Sequence, residues 1–357
     1  MKNFMYLQLF ASAGTVVNTT TGSVNAETGA KETTQAMSGE LKAFYDTELL
    51  ENARVEMFYA QFAKRQPLPK GNGTTVEWRK WNTFRKADEL QEGVIPDGQK
   101  FGMSSKTGTI SQYGTYAAIS DKLEMHAYDD TILGATEEMG ASAAETQETL
   151  IRDALLANTS VLYCDNLTLA TGAVAGTPTS CAGMEASATV MSVLTPDMVA
   201  KAVTILKKSK AKTIDGKYVA VIHPSVAYDL RKSKEWIEAH KYSATREIFI
   251  GEIGELHGCR FIENVFAPIL GGETYQNKAG GVTYATYFFG KEAFGIIDPE
   301  GGALEMIVKD KSQIGGPLNQ YSTIGYKFET NGATILYPER LLRVMSCSTF
   351  SATDEVN

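Results

Sequence analysis

The chain is 357 residues long, with 42 acidic residues against 34 Lys and Arg and a formal net charge of −8. That length exceeds what one compact core usually holds, so two or more lobes are expected. The acidic balance excludes a sequence-independent grip on nucleic acid, which needs clustered Lys and Arg, and no apolar run approaches the ~20 residues of a membrane span.

At the start, Met1 to Gly14 (MKNFMYLQLFASAG) carries a lysine, a short apolar stretch and an Ala-Ser-Ala that matches a signal-peptidase site. The apolar run from Phe4 to Ala11 is at the lower limit for such a segment and contains Gln8, so a docking peptide or capping strand is the expectation. Ser12 to Gln35 has no aromatic residue and no period, and reads as a flexible arm. Ser38 then looks like a helix N-cap. Leu41, Tyr45, Leu49, Ala53, Met57 and Ala60 form the stripe of a helix that ends before Gln66-Pro67.

From Pro67 to Asp121 alternation replaces helical spacing. Thr74, Val76 and Trp78 point one way, and Thr107 to Ile119 repeats the pattern on a returning run, so two long strands enclose a turn-rich tip at Glu92 to Gly102. A basic segment (Arg79, Lys80, Arg85, Lys86) precedes an acidic one (Asp88, Glu89, Glu92). An isolated ribbon is marginal in water and needs a surface to lie on. Its Trp78, Trp81 and Phe84 beside Arg79 and Arg85 resemble a base-stacking platform, but on such a ribbon they are better read as interface anchors.

Asp129 to Thr159 reads as one long helix, roughly 40 Å at 1.5 Å per residue. Ile132, Thr136, Met139, Ala143, Thr146, Leu150 and Ala154 make a narrow stripe rich in small residues, against which a sheet can lie closely. Glu137, Glu138, Glu145 and Glu148 fall mostly off it. Val161 to Val193 is polar, with a strand or two. Thr195-Pro196-Asp197 starts a helix, Tyr218 to Ile222 (YVAVI) is a buried strand, and His223-Pro224-Ser225 turns into a short helix. Gly251 to Val265 reads as a glycine-punctuated loop leading into a strand. Further strands follow at Thr283 to Phe289, Leu304 to Val308, Ser322 to Glu329, Ala333 to Leu336 and Leu342 to Ser346.

No catalytic constellation emerges. The chain lacks GxSxG, HExxH, EF-hand, dinucleotide-fingerprint and phosphate-loop motifs, and YFFGKE (Tyr287 to Glu292) lacks the first glycine and the hydroxyl residue of the last. His126, His223, His240 and His257 are scattered. Beside Glu255, His257 is expected to make a structural hydrogen bond rather than hold a metal. Cys164, Cys181, Cys259 and Cys347 lie far apart with no CxxC, which suits free thiols in a reducing cytosol. The expectation is therefore no enzyme, no cofactor and no metal.

The order of elements, with YLQLFA (Tyr6 to Ala11), VIHPS (Val221 to Ser225), GEIGELHGCRFIE (Gly251 to Glu263) and GGPLNQYSTIGYKF (Gly315 to Phe328), resembles the major capsid proteins of tailed bacteriophages. More specifically it resembles the coat proteins of N-four-like podophages and their relatives. Gly316 stands where that family often has an acid before Pro-Leu. The resemblance implies an α+β fold of the type named for phage Hong Kong 97. Its parts would be a flexible N-terminal arm (1–39), an N-terminal helix (40–66), an extended β-hairpin or E-loop (67–121), a P-domain with a spine helix (122–160 and 318–350), an A-domain (161–317) and a C-terminal tail (351–357). It implies a structural protein of the virion, assembled in the bacterial host cytoplasm. Copies would form hexamers and pentamers of an icosahedral head around double-stranded DNA, with no sequence-specific binding and no membrane. Scaffolding, portal and cement or head-fibre proteins would be its other partners. Trp78, Arg79, Trp81, Arg85 and Glu89 are the candidate inter-subunit contacts. A secreted, self-associating cell-surface layer protein is the alternative, and an enzyme with an unrecognised site is the third class.

Overall fold

The computed structural model describes residues 16–19, 22–25, 31–32, 57–87, 89, 98–126, 131–241, 252–302, 304–310, 320–351 and 353–357. The chain divides into two compact units, Met1–Asn52 and Ala53–Asn357. The Met1 to Gly14 segment and most of the helix expected from Ser38 lie outside the described residues. In the first unit, β1 (Val16–Thr19), β2 (Gly22–Asn25) and β3 (Lys31–Glu32) pair antiparallel. Part of the expected flexible arm therefore carries a small sheet, whose first two strands contain the β-branched Val16, Val17, Thr19 and Val24 that suit extended backbone.

The second unit opens with α1 (Tyr59–Phe62), and β4 (Lys64–Leu68) follows at once. This corrects the expected helix end at Gln66. Ala63 is already extended at φ −73°, ψ 146°, because the residues ahead of Pro67 favour extended backbone and β4 pairs in parallel with a later strand. Next come β5 (Thr75–Trp81) and β6 (Met103–Thr109), paired from Thr75↔Thr109 to Trp81↔Met103. Most of the tip lies outside the described residues. The returning run is not one strand. At Ile110, whose N–H donates to Thr74 O at 2.9 Å, the ribbon closes, and β7 (Ser111–Ser120) leaves it for another sheet.

After α2 (Asp121–His126) comes α3 (Thr131–Leu155), the expected long helix at 25 residues. Then follow β8 (Val161–Tyr163), β9 (Asn166–Thr168), β10 (Val174–Gly176), β11 (Val190–Met191) and α4 (Pro196–Lys208), whose N-cap Thr195 accepts from Met198 N. The chain continues through β12 (Tyr218–Ile222), α5 (Pro224–Arg231), α6 (Lys234–Lys241), β13 (Glu252–Leu256), β14 (Cys259–Glu263), β15 (Ile269–Leu270) and β16 (Thr283–Phe289). It ends with β17 (Phe294–Pro299), β18 (Glu305–Lys309), β19 (Tyr321–Thr330), β20 (Thr334–Ile335) and β21 (Leu341–Ser346). The expected loop at Gly251 is in fact a hairpin: His257 (φ 52°) and Gly258 (φ 80°) supply the two positive φ values of a tight turn between β13 and β14.

Seven strands form the main sheet, in the order β13-β14-β12-β16-β21-β8 with β15 against β16. Both faces are covered, which is why YVAVI reads as an unbroken apolar run. Tyr218, Ala220 and Ile222 meet Leu206, Val226, Leu230 and Trp236 of α4, α5 and α6 on one face. Val219 and Val221 meet Tyr59, Ile151 and Leu155 of α1 and α3 on the other. Each such Val, Leu or Ile side chain, fully buried, contributes about 1.5–3 kcal/mol, so this sheet holds the largest share of the core. The rest of α3 lies on the β18-β19-β7 sheet, with Ala143 fully buried against Tyr326 and Phe328. Small residues permit that approach, and Tyr326 Oη lies 3.2 Å from Ser142 Oγ and 3.3 Å from Thr146 Oγ1.

Candidate assembly surface

Alternation along β5 gives the ribbon two different faces. Trp78 turns toward the body and is half-buried, with its ring across Gly108 of β6 and Gly295 of β17. A Cβ at Gly295 would stand 3.2 Å from Trp78 Cζ2, and one at Gly108 2.9 Å from Cζ3. Glycine is required there for close approach, so Trp78 is the hairpin's foothold on its own chain. Trp81 is different. It is 59% exposed and stacks on Phe101 (60% exposed) at 4.3 Å, with Phe84 (53% exposed) against the same ring at 5.5 Å. Three exposed stacked rings form an apolar strip of the kind that marks interaction sites. Of the charged candidates, Arg79 pairs with Glu77 at 3.2 Å, the Arg85 backbone N–H donates to Gln99 Oε1 at 2.8 Å, and Glu89 is exposed.

The segment that enters β4 is held by a residue that sequence reasoning left off the buried face. Glu148 of α3 is fully buried, and its Oε1 accepts from Phe58 N (3.0 Å), Tyr59 N (3.2 Å) and Asn264 Nδ2 (2.8 Å). One carboxylate thus ties the spine helix to the segment entering β4 and to the loop after β14. Burial pushes its pKa up, against those hydrogen bonds and the nearby Arg152 charge, which pull it down. A signal existed in the sequence. The pattern Glu148, Ile151, Arg152 and Leu155 has helical spacing of its own, but on the side of α3 away from the small-residue stripe, because the last turns pack on the main sheet as well as on the β18-β19-β7 sheet.

The C-terminal residues fold back over α5 and the sheet edge. Asp354 Oδ2 accepts from Tyr284 Oη (2.6 Å) and Ser225 Oγ (3.0 Å), Thr349 N donates to Asp229 (2.8 Å), and Ile269 N donates to Asn357 Oδ1 (3.0 Å). His223 caps α5, its Nδ1 accepting from Ser225 N at 3.2 Å, and stacks on Tyr284. Burial pushes the Asp354 carboxyl up, but hydrogen bonds from Ser351, Tyr284 and Ser225 outweigh it and hold the group below 3.8; burial holds His223 below 6.5. Both folded values are lowered, so each contribution is complete above the ordinary value and lost as pH falls through the lowered one. Amides of residues 349–357 should therefore lose hydrogen-exchange protection on acidification below about pH 6, and Asp354→Ala should expose them at neutral pH.

Glu255 pairs with Lys217 across the sheet edge, while His257 occupies its turn. All four cysteines are buried and free, and burial pushes the Cys347 thiol up to about 12. No helix among the described residues is long and apolar enough to cross a membrane.

The sequence profile described as phage capsid protein matches residues 104–317. Among curated proteins no sequence matches. Among solved structures, the asymmetric unit of the cyanophage Pam1 capsid superposes with a TM-score of 0.64 at 13% identity, covering 91% of this chain and 100% of that one. The capsid of cyanophage P-SCSP1u gives 0.60 at 13%, covering 89% and 96%. The acid-stable capsid of Helicobacter pylori bacteriophage KHP30 gives 0.63 at 10%, covering 89% and 99%. At these identities the likeness concerns the fold, which is the α+β capsid fold of Hong Kong 97 type. The profile spans more than half of the sequence and displaces the surface-layer reading: the chain belongs to the phage capsid protein family, as a major capsid protein of the tailed phages.

Proposed function

We propose that copies of this capsid protein join as hexamers and pentamers of a closed icosahedral head, with each β5–β6 hairpin lying over a neighbouring copy. The observation that carries this is the stacked strip of Trp81, Phe84 and Phe101, which its own chain leaves exposed. Arg79, Arg85 and Glu89 flank it and set register through complementary charge, while Trp78 fixes the hairpin's foot. In this reading residues 122–160 and 318–350 form the P-domain and 161–317 the A-domain, with β21 carried across into the main sheet. Closure follows from repetition of heterologous contacts. The net charge of −8 suits a container from which double-stranded DNA must slide out, since a basic wall would hold phosphates. Scaffolding, portal and cement or head-fibre proteins are the remaining partners, met in the bacterial host cytoplasm. Arg79→Glu combined with Arg85→Glu tests the charge assignment: shells should fail to form while the soluble subunit stays folded, and normal shells from the double variant would remove both residues from the interface.

A further inference from the structure

Beneath the hairpin's foot lies a narrow cleft of about 160 Å³, lined by Lys64, Trp78, Lys80, Lys106, Tyr337 and Glu339 among others. Strand register gathers these groups. Trp78 pairs with Lys106, and Lys80 with Ser104, so with a period of two Trp78, Lys80 and Lys106 share the face turned to the body. Lys64 comes from β4, and the turn after β20 supplies Tyr337 and Glu339.

The charges in this cleft do not balance. Glu339, the sole acid that lines it among the described residues, is engaged by Lys80 at 2.6 Å. Lys64 reaches Glu292 only at 3.9 Å, and among the described residues no ion pair involves Lys106. Lys80 and Arg340 both lie over the Tyr337 ring, at 4.6 and 3.8 Å, which adds positive charge at that wall. Among the described residues, the buried indole Nε1 of Trp78 has no hydrogen-bond acceptor. A buried N–H without an acceptor, beside an unpaired Lys106 and a Lys64 held only loosely by Glu292, is what an anion site looks like before its ligand arrives.

We infer that this cleft binds a small oxyanion of the phosphate class, whose oxygens accept from Trp78 Nε1 and whose charge is met by Lys64 and Lys106. Hydrogen bonds between ionised partners are about twice as strong as neutral ones, and in a confined cleft they give binding that simple ionic strength does not reproduce. The bound ion joins β5 and β6 of the hairpin to β4 and the Tyr337 turn of the body, so it fixes the hairpin's angle. The site stands whether or not the hairpin takes part in assembly.

Phosphate arrives from two sources, free in solution or on a nucleic-acid backbone, and a calorimetric titration of the full-length protein separates them. One arm uses inorganic phosphate with ionic strength held constant by chloride; the other uses a short DNA duplex at equal phosphate concentration. Saturable binding is expected with inorganic phosphate, weakened about tenfold by Lys106→Gln, by Lys64→Gln and by Trp78→Phe, which keeps a ring and removes the donor. Binding of the duplex alone, with the same loss in the variants, supports the site and assigns its phosphate to nucleic acid. Absence of saturable binding in both arms, or equal affinity in wild type and all three variants, overturns the inference.

Discussion

Glu148→Ala is expected to lower the stability of the unassembled protein by about 3–5 kcal/mol in chemical denaturation. The change strands three donors at once, Phe58 N, Tyr59 N and Asn264 Nδ2, in a fully buried position. It also unties α3 from the segment leading into β4. Glu148→Gln keeps an acceptor oxygen and should cost much less. The pH dependence distinguishes the two effects. Burial raises the Glu148 pKa above 4.5, so the carboxyl's contribution is complete below that ordinary value and lost as pH rises through the raised one. The Gln variant should lack that part of the pH profile, gaining on wild type as pH rises. A loss under 1 kcal/mol in Glu148→Ala would mean that the entering segment is held by other contacts.

Trp81→Ala with Phe101→Ala should act on assembly and spare the subunit. Both rings are more than half exposed in the single chain, so removing them leaves no cavity in its core. Buried in an interface, an aromatic anchor is worth about 2–4 kcal/mol on truncation, which raises the critical concentration for assembly ~30- to 1,000-fold. Light scattering against protein concentration reads that shift directly. Trp78→Ala should do the reverse in part. It removes the half-buried foothold across Gly108 and Gly295 and so destabilises the hairpin before any neighbour is met.

Much of the second unit was legible because its signals are local. Thr195-Pro196 at the start of α4, His223-Pro224 at α5 and the unbroken apolar run of β12 each announce themselves within a few residues. The long α3 helix and the sheet lying on its small-residue stripe were legible for the same reason. What failed was non-local. Lys64 and Arg65 fall within the helix expected to end before Gln66-Pro67, but Lys64–Leu68 becomes β4 because β17, some 230 residues later, offers a parallel partner. Phe294–Pro299 itself was missed, being broken by Gly295 and Asp298 and closely preceded by a Gly-Lys turn. The returning hairpin run keeps its alternation through Ile110, and only β19 decides that residues after it pair elsewhere. Glu148 was misplaced because α3 is buried on two sides, one against β19 and one against the main sheet, and a single stripe describes only the first. Of the contact candidates, Trp81 lies in the exposed strip with Phe84 and Phe101, while Trp78 faces its own body, a distinction set by strand parity and visible only once the register is known.

Electron microscopy of the purified, overexpressed protein, alone and co-expressed with the scaffolding protein of its phage, tests the central claim most directly. Closed shells, or sheets and tubes of hexamers, are the predicted result. A monodisperse monomer or dimer under both conditions, across the concentration range where light scattering follows assembly, would contradict it.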